Sequence, residues 1–238
     1  MLWLSPMTLG LPIAPGALIP ALVTRALVDG ALHFACSVLL SPLSAFASRD
    51  AVAISSPADF DAGAGHPTPI VLVHGLLGHP SNFRFLRRFL AARGFRNFAT
   101  FSYVPRVDHD ELARQLRRTV EAVCEVTGRA EVDIVGHSLG GLVARHLLER
   151  GEGARVRRLV TLGAPYLTDS RPEREFAIFA AADLIVPPPR HMRARSAIVS
   201  SCGHLGLLSH PSALRQVAMF LGESGEYRAE AARLPDAA

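Results

Sequence analysis

The sequence predicts a doubly wound α/β fold, a sheet of about six mostly parallel strands with helices on both faces. Three observations predict it. From Pro69 onward, apolar runs of strand length alternate with amphipathic stretches of helix length. The first run, Pro69-Ile-Val-Leu-Val-His-Gly75, is apolar without alternation, as a strand covered on both faces must be. Finally, the stretch Val132-Asp-Ile-Val-Gly-His-Ser-Leu-Gly-Gly141 carries a short apolar strand directly into a helical pattern.

Each element has a local reason. Pro80 to Gly94 reads as a helix opened by Pro80-Ser81-Asn82 and closed by Gly94. Phe98 to Tyr103 is a strand, and Asp108 to Thr127 is a long amphipathic helix. Val132 to Val135 is the next strand, and the helix that follows ends near Gly151. Val156 to Leu162, Phe176 to Ala181 and Ala197 to Ser201 are further strands, and a last helix runs from about Ser212 to Leu221. The chain of 238 residues is long enough for one such domain with a full core. Ala58 to Pro69, with Gly63, Gly65, Pro67 and Pro69, reads as a linker. The expected organisation is therefore an apolar N-terminal segment over 1–57, a linker over 58–68 and the α/β domain over 69–238.

Composition narrows the function. All 25 basic residues are arginine, the formal charge is only +4, and the arginines form no block or aromatic-interleaved stripe. Nucleic-acid binding is not expected. Cys36, Cys124 and Cys202 are far apart and odd in number, with neither metal-ligand nor disulfide-framework spacing. Buried thiols are the expected state of Cys124 and Cys202, with a bridge between them as the alternative.

Hydrophobic residues make up 49% of the chain, and much of the excess lies in the first fifty positions. Met1 to Thr24 holds no charge but contains Pro6, Pro12, Pro15 and Pro20, which would repeatedly break a spanning helix. Ala31 to Ala47 is barely long enough to span a bilayer and ends in the small-x-small triplet Ala45-Phe-Ala47. Three readings follow: an atypical export signal, a membrane or interface anchor, or helices packed on the domain. The first two place the protein in or beyond a membrane, with residues 1–47 making any contact with its surface.

The chemistry centres on Gly136-His-Ser138-Leu-Gly140. A strand turning sharply into a helix strains its central residue, and glycines on either side remove the collisions that this turn creates. Such an elbow exposes a serine hydroxyl at a strand end. A serine hydroxyl needs a base, normally a histidine oriented by a carboxylate, and behind an elbow of this kind the chain order is serine, acid, histidine. His204 follows the last strand in Ser200-Ser-Cys-Gly-His-Leu-Gly206, where Gly203 permits a turn, and is the leading base. His191, in a Pro- and Arg-rich loop, and His210, beside Pro211, are the alternatives; His146 lies eight residues into the elbow helix and projects away from the strand ends. Asp183 follows the strand before His204 and is the leading acid, with Asp169 as competitor.

The attacked carbonyl also needs donors for its developing oxyanion. One is the amide of Leu139, at a helix N-terminus. The other is expected from His74-Gly-Leu-Leu-Gly78, where Gly75 lets the backbone turn inward and offers the amide of Leu76. His74 is expected to hold that loop by a hydrogen bond. His74, His79 and His137 lack the carboxylate or cysteine partners of a metal site, so no metal or cofactor is expected.

His74-Gly-Leu-Leu-Gly with Ser81-Asn82-Phe83, then Val132-Asp-Ile-Val-Gly-His-Ser-Leu-Gly-Gly, Val160-Thr-Leu-Gly-Ala-Pro, Asp183-Leu-Ile-Val and Gly203-His204-Leu-Gly-Leu-Leu resemble the small bacterial lipases of the α/β-hydrolase superfamily. The resemblance covers roughly Thr68 to Gly222. It implies a minimal α/β-hydrolase fold, a triad of Ser138, Asp183 and His204, oxyanion amides at Leu76 and Leu139, and hydrolysis of carboxylic esters, often acylglycerols, without a cofactor. Met1 to Ser48 has no counterpart in it.

Only about a dozen residues, Ala164 to Glu175, join two strands behind the elbow helix, an ordinary connection length. No lid domain fits there, which predicts an open site with little interfacial activation unless the N-terminal segment covers it. Leu76, Leu77, Leu139, Pro165, Tyr166 and Leu205 are candidates for an apolar acyl surface. Acyl transfer by the same triad and a non-catalytic, membrane-associated scaffold are the rival functions.

Overall fold

A computed structural model of the chain describes residue 54 and residues 57–76, 78–103, 108–168, 172–192 and 195–222. The apolar run over 1–47, Cys36, Leu77 and Asp169 lie outside the described residues.

Six strands form one parallel sheet in the order β2-β1-β3-β4-β5-β6. They are β1 (Ile70–Val73), β2 (Phe98–Phe101), β3 (Val132–His137), β4 (Val156–Leu162), β5 (Glu175–Ala180) and β6 (Ser196–Val199). The helices are α1 (Arg84–Ala91), α2 (His109–Thr127), α3 (Leu139–Glu149) and α4 (Pro211–Leu221). The expected first helix is divided: Pro80–Phe83 is a 3-10 turn, and regular helix begins only at Arg84. Among the described residues, the connections β4–β5 and β5–β6 contain no helix, although both pairs are parallel.

Alternation along each strand builds two cores. Ile70, Leu72, Val135, Val160 and Ile178 point to the face covered by α1 and α4. Val71, Val73, Ile134 and Leu159 point to the face covered by α2 and α3. All of these are buried, so the apolar run of β1 serves both cores at once. Cys124 belongs to the second core and Cys202 to the first, on opposite faces of the sheet. No disulfide joins them.

Helix ends follow from local chemistry. The Asp108 carboxylate accepts the amide of Glu111 at 3.0 Å and caps α2. That helix stops at Gly128, whose φ of 66° suits a residue without Cβ. His210 caps α4 by accepting the Ser212 amide, with Pro211 in the first turn.

At the amino ends of the strands, Asp133 is fully buried and accepts from Arg157 Nε at 2.9 Å, Arg157 Nη2 at 2.6 Å and His66 Nε2 at 3.0 Å. Arg157 and Arg158 also donate to the Leu221 carbonyl, at 3.0 and 2.7 Å, and close the end of α4. The 58–68 stretch is tied to this end. Asp61 N donates to Asn97 Oδ1 at 2.8 Å, Asn97 Nδ2 donates to the Asp61 and Pro67 carbonyls, and His66 bridges to Phe95.

Candidate active site

The carboxyl ends of β1, β3, β4, β5 and β6 carry the residues singled out from the sequence. In an open parallel sheet, this is the end where side chains from separate loops converge.

Ser138 sits between β3 and α3 with φ 54° and ψ −124°. A side-chain-bearing residue at such a φ stores about 1–3 kcal/mol of strain. The surrounding packing holds it there. The Ser138 amide donates to the Leu162 carbonyl at 2.9 Å, and its own carbonyl accepts from Leu142 at 3.1 Å. A Cβ on Gly136 would lie 2.6 Å from Gly141 Cα, and one on Gly140 would strike the carbonyl oxygens of Val73 and His74. The elbow can therefore approach β1 and fold back on itself only because both positions lack side chains.

Asp183 and His204 meet. His204 Nδ1 lies 2.7 Å from Asp183 Oδ2, and both side chains are buried. The other carboxylate oxygen, Oδ1, accepts the amides of Ile185 and Val186, each at 2.8 Å. The acid is thus fixed by its own loop before it touches the ring. Because a carboxylate can only accept, Nδ1 carries a proton, and in the neutral form of the ring Nε2 holds the lone pair. His204 packs against the His137 ring at 4.7 Å between centroids, and its carbonyl accepts from His137 Nε2 at 3.2 Å.

The loop after β1 closes the other side. A Cβ on Gly75 would fall 2.9 Å from Ser138 Cβ, so this backbone passes directly against the serine. The Gly75 carbonyl accepts from Gly78 N and from His74 Nδ1, both at 2.9 Å. No described residue accepts the amide of Leu76. Leu139 opens α3, so its amide has no partner within the helix. His74 is buried and stacks on Tyr103 at 4.8 Å, and Tyr103 Oη donates to the His74 carbonyl at 2.7 Å. Burial lowers the His74 pKa, partly offset by the Gly75 hydrogen bond and assisted by nearby His79. Burial raises that of Tyr103.

The other candidates lie elsewhere. His146 Nε2 pairs with Asp110 Oδ1 at 2.6 Å between α3 and α2, an interaction that lowers the Asp110 pKa. His191 is exposed, and His210 is occupied as a helix cap. Among the described residues, no group of His, Cys, Asp or Glu could hold a metal ion, and no helix is long and apolar enough to cross a membrane. Of the acyl-surface candidates, Leu76 is 60% exposed, whereas Leu139, Pro165, Tyr166 and Leu205 are half-buried.

Two residues near the site, Tyr103 and Arg145, have no role at the site in the expectations from sequence, and His137 was weighed there only as a metal ligand. Arg145 is buried in α3 and bound to Glu175, Thr161 and the Pro165 carbonyl. Its only signal was a charged residue at an inward-facing helical position seven residues beyond Ser138.

Residues 68–185 match a family described as the alpha/beta hydrolase fold. That match includes Ser138 and Asp183 and ends before His204. The chain is similar in structure to a predicted CIB-like hydrolase from Thermoplasma acidophilum, with 15% identity, a TM-score of 0.51, and coverage of 66% of this chain and 87% of that one. It is also similar to Aspergillus fumigatus lipase B, with 14% identity, a TM-score of 0.52, and coverage of 68% of this chain and 54% of that one. Likeness at such identity speaks to the fold, and the chemistry has to be argued from the site.

Proposed function

Since this chain has the α/β-hydrolase fold, we propose that it is a serine hydrolase that cleaves carboxylic esters, lipid esters such as acylglycerols among them. The observation that carries this reading is the buried Asp183–His204 pair at 2.7 Å, at the same sheet end as a strained, elbow-held Ser138. A solvated loop carboxylate could accept the same two backbone amides, but it would not be buried and set against an imidazole.

In the proposed reaction, Ser138 Oγ attacks the ester carbonyl carbon while its proton passes to His204 Nε2. The carbonyl π-pair moves to oxygen, where the amides of Leu76 and Leu139 receive the negative charge. Collapse breaks the bond to the alkoxy oxygen, which takes the proton from Nε2 and leaves as the alcohol. Water then repeats the sequence on the acyl-enzyme, giving the free acid and restoring the serine. Asp183 stays ionised throughout, holding the Nδ1 proton in place and stabilising the transient imidazolium. Apolar side chains at the mouth, Leu76 foremost, favour acyl chains over charged substrates.

Replacement of Ser138 by Ala tests the proposal. Turnover of a p-nitrophenyl ester should fall by several orders of magnitude, and covalent labelling by a fluorophosphonate should vanish. An unchanged rate or an undiminished label would refute it.

A further inference from the structure

We propose that Arg145 is a positioning residue for His204, acting through the loop Gly163–Tyr166; the proposal rests on the hydrolase reading above. Arg145 stands two helical turns beyond Ser138, and its side chain is 1% exposed. Nε donates to both Glu175 oxygens at 2.9 Å, and Nη2 donates to Oε1 at 2.6 Å and to Thr161 Oγ1 at 3.2 Å. Thr161 in turn donates to Glu175 Oε1 at 2.6 Å. Nη1 donates to the Pro165 carbonyl, and the guanidinium carbon lies 4.7 Å from the centre of the Tyr166 ring. One side chain on the nucleophile's helix therefore joins β4, β5 and the loop between them.

A buried ion pair is a poor device for stability, because well-packed apolar side chains usually serve as well. What an apolar side chain cannot do here is donate to the Pro165 carbonyl. That carbonyl belongs to a loop whose later described ties are the Tyr166 ring, edge-on to Phe179 at 5.3 Å, and the Thr168 hydroxyl, which donates to Glu149 at 2.6 Å. At its start, Gly163 donates its amide to the Ile178 carbonyl at 2.8 Å and takes φ 59°. Gly163 is also the surface against which the imidazole rests: a Cβ there would lie 3.1 Å from His204 Nδ1 and 3.2 Å from Cε1. Next to it, Ala164 Cβ packs so closely on α3 that a Cβ on Gly141 would come within 2.8 Å. The loop is thus fixed from β5 at Gly163 and from Arg145 at Pro165, with His204 against its inner side. Releasing the Arg145 end lets Gly163 move and leaves the ring free to turn on its Asp183 bond.

Two variants of the full chain separate positioning from folding. Arg145→Lys keeps a charge for Glu175, but a single ammonium nitrogen lacks the planar fork that reaches the carboxylate through Nε and Nη2 and the Pro165 carbonyl through Nη1. The double variant Arg145→Met, Glu175→Leu removes both charges, so no unpaired ion remains to unfold the protein. In each, kcat on a soluble p-nitrophenyl ester should fall about 10- to 100-fold with KM within about twofold, since ring misplacement affects the transition state rather than uniform binding. Fluorophosphonate labelling should slow in step. The downfield proton resonance of His204 Nδ1–H, assigned by its loss in His204→Gln, should broaden or shift upfield. A double variant that keeps native circular dichroism, wild-type kcat and an unmoved resonance overturns the proposal. A wild-type protein inert to esters whose resonance still moves in the variants would sink the hydrolase reading and leave the positioning role standing.

Discussion

The imidazole of His204 rests on Gly163, so closely that a single added carbon on that glycine would lie 3.1 Å from Nδ1. The same nitrogen lies 2.7 Å from Asp183 Oδ2. The ring is thus held by a carboxylate at one atom and by a bare backbone along its edge.

Gly163→Ala should therefore harm turnover more than folding. A φ of 59° costs an alanine about 1–2 kcal/mol, and a displaced ring costs roughly 100-fold in rate. The expected outcome is a modest loss of thermal stability with kcat/KM on a soluble ester down by about 10- to 100-fold. Equal activity in the folded variant would show that His204 does not depend on this contact.

Asp183→Asn tests the acid. Its Oδ1 role can be kept by the amide oxygen, which still accepts from Ile185 and Val186. The amide nitrogen then faces His204 Nδ1 and forces the proton to Nε2, where a base is needed. The rate should fall by about 10⁴ with little change in stability. A loss below tenfold would point to another acid, with Asp169 the first to examine.

The two ends of the sheet should respond differently. Asp133 is as deeply buried as Asp183, but its partners Arg157 and His66 lie at the amino ends of the strands. Asp133→Ala strands a partly buried guanidinium, which should cost about 3–5 kcal/mol in urea unfolding. The kcat of the remaining folded protein should match wild type. A parallel loss of kcat would mean that the amino end communicates with the site.

Much of this arrangement was legible because it is written in local signals. β4 occupies Val156–Leu162 as read from its apolar run, and α2 begins beyond Asp108 because an aspartate with a glutamate three residues on announces a helix start. Ser138 could be singled out because its strain demands glycines at fixed spacing, and His204 and Asp183 as candidates because each follows a strand end. The structure sets those last two side chains 2.7 Å apart. Arg145 and Glu175 were not legible, since their partnership spans 30 positions and neither belongs to a local pattern. A single charge at an inward-facing helical position does not show which distant residue it meets. Tyr103 was missed for the same reason: it matters through stacking on His74 and a bond to that residue's carbonyl, neither of which leaves a spacing to read.

His74 gives the loop before the serine a dependence on pH. Its pKa is lowered chiefly by burial, against the opposing hydrogen bond to Gly75 and with repulsion from His79. The neutral ring is therefore the one that fits. In the unfolded chain the ring titrates near its ordinary value of about 6.5, so on acidification the unfolded state takes the proton first. Its contribution to stability is whole above about pH 6.5 and is lost as pH falls toward the lower folded value. Urea midpoints measured from pH 8 to pH 5 should decline below about 6.5 in the wild type. His74→Asn offers an amide donor for the Gly75 carbonyl without a titrating ring, and its midpoints should decline less steeply over the same window. Activity should follow the same course, because a protonated His74 would displace the loop that carries the Leu76 amide. Parallel curves for the two proteins would show that His74 does not set this dependence.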